Sequence, residues 1–375
     1  MLDGRENNIN IYMDNKKYKN NNRNFLVFGH NYIGDVLMLT PAIRMLKSKF
    51  PESKITAVVS KSASPILRRN PDVWKVVETE KMKGLRGVFG ILNLFLKLRK
   101  LELNKLNKEK FYVCINFLTS FKFAVLGFLL SKKQVGQYKR INNFFLKDKI
   151  KFDKDSHNID KSLKFIEPFY IKQKYQDRNY VYEVYEEDIK NARNILKNSF
   201  NDYDENVKIV LLSPGSTRRS KEAKPEVFSL LADYLNEKGY RIIITGSGKD
   251  KDLSKKISSK ITNKHLSVDI TGLTDIYMLG GLIKLSCLVV SVDNGTMHLA
   301  SAIKTPLIAL FGSTDPSVCG PVSGNSYTID KKVGCYHCFY KDCPKESFNK
   351  NGFPDCMGFI VLDDLIFGVK KLLKF

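Results

Sequence analysis

The stretch FLVFGHNYIGDVLMLTPAIRML, residues 25–46, decides the fold class. It opens on an uninterrupted apolar run, Phe25 to Gly29, as a strand buried on both faces would. Glycines at 29 and 34 allow a turn, and a helix follows with Asp35 close to its start. The same pattern recurs along the chain. Strand candidates Ile55–Ser60, Val73–Glu78 and Phe111–Asn116 alternate with helices starting near Ser62 and Arg86. A second series runs helix Glu186–Lys197, strand Lys208–Ser213, helix Pro225–Lys238, strand Arg241–Gly246 and helices Lys249–Lys260 and Asp275–Leu285. Strand Leu288–Asp293, helix Thr296–Ile303 and strand Leu307–Phe311 complete it. Such alternation predicts an α/β chain of two doubly wound, Rossmann-like units facing across a cleft.

At 375 residues the chain is long for one core and comfortable for two. We expect a disordered leader at 1–24, a first domain at 25–180 that ends in a polar linker, roughly Lys147 to Tyr180, and a second domain at 181–375. The leader is rich in Asn and Lys and lacks an apolar centre or a small-residue cleavage site, so it does not read as a secretory signal. The longest apolar runs, Phe123–Leu130 and Leu307–Phe311, are far shorter than the roughly 18 residues a spanning helix needs. A cytoplasmic protein is expected. Its seven cysteines then argue against a disulfide framework.

The net charge of +23 is unevenly distributed. Residues 1–180 hold 36 Lys and Arg against 16 Asp and Glu, whereas residues 181–375 hold 26 against 23. An excess confined to one half points to an anionic partner there: a phospholipid surface, an acidic glycan or nucleic acid. No helix-turn-helix, RNP-like or zinc-finger spacing accompanies the charge, so nucleic acid is the weaker alternative.

Three segments carry chemistry. Asp35, in the first helical turn, projects into the expected cleft, although ordinary helix capping also favours an acid there. The glycines before it lack dinucleotide-fingerprint spacing. In VLLSPGSTRRSKEAKPEVF, residues 210–228, the hydroxyls of Ser216 and Thr217, backbone N–H groups and Lys221 converge after a strand, which suits a diphosphate. Ser220 and Glu222 stand where an ATPase phosphate loop needs Gly and Ser or Thr. SVDNGTMHLASA, residues 291–302, places Asp293 at a strand end and Asn294, Gly295 and Thr296 at a helix start, where free N–H groups and the dipole attract anions. His298 lies in the same helix and reads equally well as a structural residue. The Gly-x-Gly turn TGSGKD is a weaker phosphate candidate. Late in the chain, Cys335-x2-Cys338-x4-Cys343-x12-Cys356 could hold a structural zinc or iron, or could be reduced thiols in a loop.

Taken in order, GD-x4-TPA-x-R at Gly34–Arg44, SPGST…K at Ser213–Lys221, and DNGTMHLA at Asp293–Ala300 followed by TP-x3-LFG-x-TDP at Thr305–Pro316 resemble the heptosyltransferase family of glycosyltransferases. The resemblance spans about residues 25–375. It implies a GT-B fold, a nucleotide-diphosphate heptose donor (ADP-heptose expected), inversion at the anomeric carbon, a lipopolysaccharide-core or related anionic glycolipid acceptor, and no catalytic metal. It also implies roles: Asp35 as general base, Lys221 on the donor phosphates, and Asp293, Gly295, Thr296 and His298 in donor binding. A protein-modifying branch of relatives carries cysteine-bound iron. Ala223 and Lys224 replace the Trp-Pro usual after that lysine, which leaves room for another sugar or a protein acceptor.

Residues 84–110 bear on docking. Leu85, Val88, Phe89, Leu92, Phe95, Leu96 and Leu103 are spaced for one helix face, and seven Lys and Arg stand against two Glu. The expectation is a crossover helix packed by that face on the sheet, its basic face either simply solvated or turned toward the anionic inner leaflet of the cytoplasmic membrane or the charged glycolipid.

Overall fold

A computed structural model describes residues 23–80, 84–105, 110–170, 177–201, 203–335, 337–344 and 353–373, and the expected leader lies outside them apart from Arg23 and Asn24. Two six-stranded sheets, parallel throughout, form the frame. In the first, β1 (Asn24–Phe28), β2 (Lys54–Ser60), β3 (Lys75–Thr79), β4 (Phe111–Asn116), β5 (Ser131–Gln137) and β6 (Asp148–Ile150) lie in the order β3-β2-β1-β4-β5-β6. Its helices are α1 (Ile33–Leu37), α2 (Thr40–Lys49), α3 (Ser64–Arg68), α4 (Gly84–Lys105), α5 (Phe121–Leu130) and α6 (Asn158–Lys164).

The second sheet comprises β7 (Ile209–Ser213), β8 (Arg241–Ile244), β9 (Ser267–Asp269), β10 (Leu288–Val292), β11 (Leu307–Phe311) and β12 (Ser326–Asp330). Its order, β12-β11-β10-β7-β8-β9, repeats that of the first sheet when read from the other edge. Helices α7 (Glu186–Ser199), α8 (Pro225–Asn236), α9 (Lys251–Lys260), α10 (Ile276–Leu285) and α11 (Gly295–Ile303), with a C-terminal helix at Leu362–Leu373, cover it. The central strands β1, β7, β10 and β11 are buried nearly throughout, as parallel strands covered on both faces must be.

Two expectations are corrected. The expected linker contains structure: β6 extends the first sheet, and α6 begins at an His157 cap whose Nδ1 accepts from the Ile159 N–H. His157 Nε2 also lies 3.2 Å from the Gly320 carbonyl oxygen, which joins α6 to the second half of the chain. In α4 the buried side chains are Leu94, Leu98 and Glu102, whereas Phe89, Leu92 and Leu96 stay exposed. Leucines surround most of this helix, so two overlapping stripes compete for the sheet. The side chains of Leu85, Arg86, Val88 and Leu103 lie outside the described set.

Candidate functional site

Strand order reverses beside β1 in the first sheet and beside β7 in the second, and crevices at such switch points, outside the carboxyl ends of the strands, are where α/β folds take ligands. The loops leaving β1, β7 and β10 enclose a cavity of about 310 Å³. Asp35 lines it from α1, Ser216, Thr217 and Lys221 from the loop after β7, and Asp293, Asn294, Gly295 and His298 from the start of α11. Thr296 lines an adjoining cavity of about 560 Å³ that shares Ser216, Thr217, Asn294 and Gly295 and extends to Tyr277 of α10. In that larger cavity the Thr245 hydroxyl is buried with no protein hydrogen-bond partner. A third cavity, of about 290 Å³, lies toward the first sheet and is lined by His30, Asp35, Gln137, Asn158 and Lys161, among others. Asp35 and Asn158 border both the first and the third.

Lys221 Nζ donates to Asp293 Oδ2 at 2.6 Å, and Thr314 Oγ1 donates to the same oxygen at 2.6 Å. Burial pushes the Asp293 carboxyl up, but Lys221, His298 and Thr314 outweigh it and hold the group below the ordinary Asp value. An ionised carboxylate repels phosphate, so Asp293 acts here by holding Lys221. An ammonium has three donors, and Asp293 takes one. Beside the lysine, burial lifts the Glu222 carboxyl to about 7, with Asp250 adding to the shift and Arg219 and Lys256 opposing it. That limits the negative charge next to Lys221 near neutrality.

His298 is buried, and burial lowers its pKa against the pull of Asp293 and Asp35. Its Nδ1 lies 3.1 Å from the Tyr180 hydroxyl, whose own pKa burial raises. The imidazole packs directly on Gly34: a Cβ at that position would collide with the ring, so the glycine before Asp35 is what lets α1 approach α11. Asn294 acts as a brace. Its Oδ1 accepts from the Met297 N–H and caps α11, while Nδ2 donates to the Gly215 carbonyl at 2.8 Å and to Ser213 Oγ at 3.0 Å. The helix start is thereby tied to the Ser216–Thr217 loop, and its N-terminal dipole points into the shared cavity wall. On the other side of Asp35, burial lowers the pKa of His30 against the pull of that carboxylate.

The cysteine-rich segment closes over the Lys221 loop. Phe339 lines the cavity of about 310 Å³, its N–H donates to the Ser313 carbonyl at 2.7 Å, and Ser220 Oγ donates to the Tyr340 carbonyl at 2.6 Å. Burial, and then the proximity of Cys335, Cys338 and Cys343, pushes the Cys356 thiol up to about 12. The four cysteines are thus gathered, but among the described residues no three Cys, His, Asp or Glu side chains converge at metal-ligand spacing. A metal there would require the thiols to close in and lose their protons.

All nine of the sequence-derived residues Asp35, Ser216, Thr217, Lys221, Asp293, Asn294, Gly295, Thr296 and His298 therefore border two adjoining cavities. Sequence reasoning missed His30, Asn158, Lys161 and Phe339. His30 shares the Asp35 turn and could have been noticed, whereas Asn158 and Lys161 belong to the supposed linker and carried no local signal.

Lipopolysaccharide heptosyltransferase 3 of Escherichia coli strain K12 is 28% identical to this chain over 298 residues, covering 76% of this chain and 81% of its own length. Among solved structures, a glycosyl transferase family 9 protein from Veillonella parvula superposes with a TM-score of 0.78 at 19% identity, over 94% of this chain and 97% of its own. The E. coli ADP-heptose lps heptosyltransferase II does so with a TM-score of 0.76 at 20% identity, over 94% and 98%. These likenesses establish the fold as GT-B. The sequence model of glycosyltransferase family 9 (heptosyltransferase) matches residues 99–349, well over half of the chain, which therefore belongs to that family.

Proposed function

We propose that this glycosyltransferase transfers heptose from ADP-heptose to a lipopolysaccharide-core acceptor, inverting the anomeric centre and using no catalytic metal. The donor half is residues 181–375 and the acceptor half residues 25–180. The observation that carries this reading is Asp35 standing between two cavities, with the Lys221 loop and the start of α11 on one side and the first-sheet cavity on the other. The names of the relatives, lipopolysaccharide heptosyltransferase 3 and ADP-heptose lps heptosyltransferase II, support heptose and this acceptor class.

Asp35 takes the proton from the acceptor hydroxyl as that oxygen attacks the anomeric carbon opposite the diphosphate. The bond to the diphosphate breaks and its electron pair leaves with ADP. Lys221, the Ser216 and Thr217 hydroxyls and the α11 N-terminus offset the charge that builds there, which removes the need for a divalent ion. Activity takes place at the inner face of the cytoplasmic membrane, where peripheral contact brings the anionic acceptor to the basic half. Among the described residues no helix is long and apolar enough to cross a membrane. A structural zinc or iron at Cys335, Cys338, Cys343 and Cys356 is a separate proposal, to be decided by metal analysis of protein purified without added metal.

The test is a transfer assay with a panel of nucleotide-diphosphate sugars and both glycolipid and protein acceptors, with the product anomer read by NMR. Asp35→Ala should lower turnover about 10²–10⁴-fold with donor affinity nearly unchanged. Turnover should survive strong chelation of divalent ions. Near-normal turnover of Asp35→Ala, or loss on chelation restored by magnesium, would sink this mechanism. Ala223 and Lys224, at positions where relatives usually carry Trp-Pro, make another sugar the first alternative for the panel to expose.

A further inference from the structure

Helix α5, FKFAVLGFLL, carries one charged residue, Lys122, and is apolar on every side. A helix of that kind is stable where both faces are covered. Ala124, Leu126 and Leu130 are buried beneath it, but Phe121, Phe128 and Leu129 are 45%, 50% and 49% exposed. Alongside, α4 exposes Phe89, Leu92 and Leu96 as one helical stripe. The loop after β5 adds Tyr138, Ile141 and Phe144, and the Phe144 and Phe128 rings lie 6.4 Å apart, so loop and helix share one surface. Among the described residues, nine of the nineteen exposed large hydrophobic side chains fall within residues 89–144, whereas folded surfaces ordinarily scatter them singly.

The charge in this region has one sign. Every exposed charged residue among those described between 89 and 149 is a Lys or Arg, including Lys97, Lys100, Lys122, Lys132, Lys139 and Arg140. The carboxylates described there are both buried: Glu102, which accepts from Arg99, and Asp148.

We propose that the outer faces of α4 and α5, with the loop at 138–146, insert into the headgroup layer of an anionic lipid bilayer. The apolar side chains sink into the interface and the surrounding cations meet lipid phosphates. A symmetric second copy does not suit this face, because it would bring two sets of cations together with no exposed carboxylate among the described residues between them. The surface also adjoins the Asp35 cavity: Asn142 Nδ2 donates to the Thr119 carbonyl at 3.0 Å, and Thr119 and Gln137 line that cavity. On the reading of that cavity as the acceptor site, an acceptor reaches Asp35 with its lipid end still in the bilayer.

The experiment sediments the full chain with vesicles of phosphatidylglycerol and phosphatidylethanolamine, or of phosphatidylcholine alone. One variant pairs Phe128→Ser with Phe144→Ser, and another combines Lys97→Glu, Lys100→Glu and Lys132→Glu. Binding should favour anionic vesicles and fall about tenfold or more in each variant. ADP affinity should be unchanged, which reports an intact fold, and the exposed-lysine variant provides a second measurement if the aromatic one misfolds. Unaltered vesicle binding in both variants overturns the proposal. So does a stable dimer that the Phe128/Phe144 change dissolves in the absence of any vesicle binding. If the variants lose vesicle binding while the wild type transfers nothing to any glycolipid, the docking surface stands and the acceptor reading falls.

Discussion

Lys221 is held by a carboxylate it also neutralises, and this gives its loss two separable effects. Lys221→Met should weaken free ADP and the intact donor alike by about ten- to a hundredfold, since a charge-assisted hydrogen bond contributes about 1.5–3 kcal/mol and both ligands present the same phosphates. It also strands Asp293, so the melting temperature should fall in the absence of ligand. Asp293→Asn, by contrast, should weaken nucleotide binding only as far as it lets Lys221 drift. Calorimetric titration with ADP beside thermal melts separates the two, and a selective loss of acceptor affinity would contradict the assignment. His298 makes a prediction about pH. Burial lowers its folded pKa below the ordinary 6.5, so its contribution to stability is fully present above that value and is lost as pH falls toward the folded pKa. Denaturant unfolding of wild type and His298→Gln should show the wild type losing stability relative to the variant below about pH 6.5. A pH-independent difference would mean that the buried imidazole accepts a proton as readily in the folded chain as in the unfolded one.

Elements pack closely where the cleft forms, and α1 against α11 is one case. Gly34→Ala must move either the His298 ring or α1 itself, at a cost of about 1–3 kcal/mol, the usual range for overpacking. Turnover should fall more than ADP affinity, because Asp35 rides on α1 whereas the Lys221 loop does not; equal losses in both would mean that the two helices move as one. The elements also show what the sequence could convey. The central strands and α7 to α11 were legible because apolar runs and helical periods coincide with them. β5, β6, β9 and β12 were not: Ser131–Gln137 reads SKKQVGQ, and its place in the sheet rests on tertiary satisfaction, with the buried Gln134 amide donating to the Ala124 and Phe145 carbonyls. For α4, periodicity specified a helix but not its buried stripe, and the choice was settled by Leu94 and Leu98 meeting Leu126 and Leu130. Motif spacing brought the site residues together in advance. It did not reveal that the Asp293 and Asn294 side chains are spent on Lys221 and on the β7 loop.

Across the molecule, the two halves are clamped at Arg69, which follows α3. Its guanidinium donates to both Asp188 oxygens at 2.8 and 2.6 Å and lies 3.9 Å from the centre of the Tyr277 ring, which lines the larger cavity. Arg69→Ala leaves a buried carboxylate without its cation, so stability should drop by up to about 3 kcal/mol. Nucleotide affinity should drop with it as Tyr277 loses its support, and denaturant unfolding with and without ADP checks both; an unchanged ADP affinity would confine the clamp to a structural role. The order of the strands has a further consequence. All six strands of one sheet fall within residues 24–150 and all six of the other within 209–330, so the backbone passes between the sheets once. A gene divided between Tyr180 and Asp188 would encode two fragments, each owning every strand of its sheet, with the Arg69–Asp188 and Tyr180–His298 contacts left to rejoin them. If the halves divide acceptor from donor as proposed above, the same division marks where they could be exchanged between relatives, changing what is glycosylated without changing which activated sugar is spent.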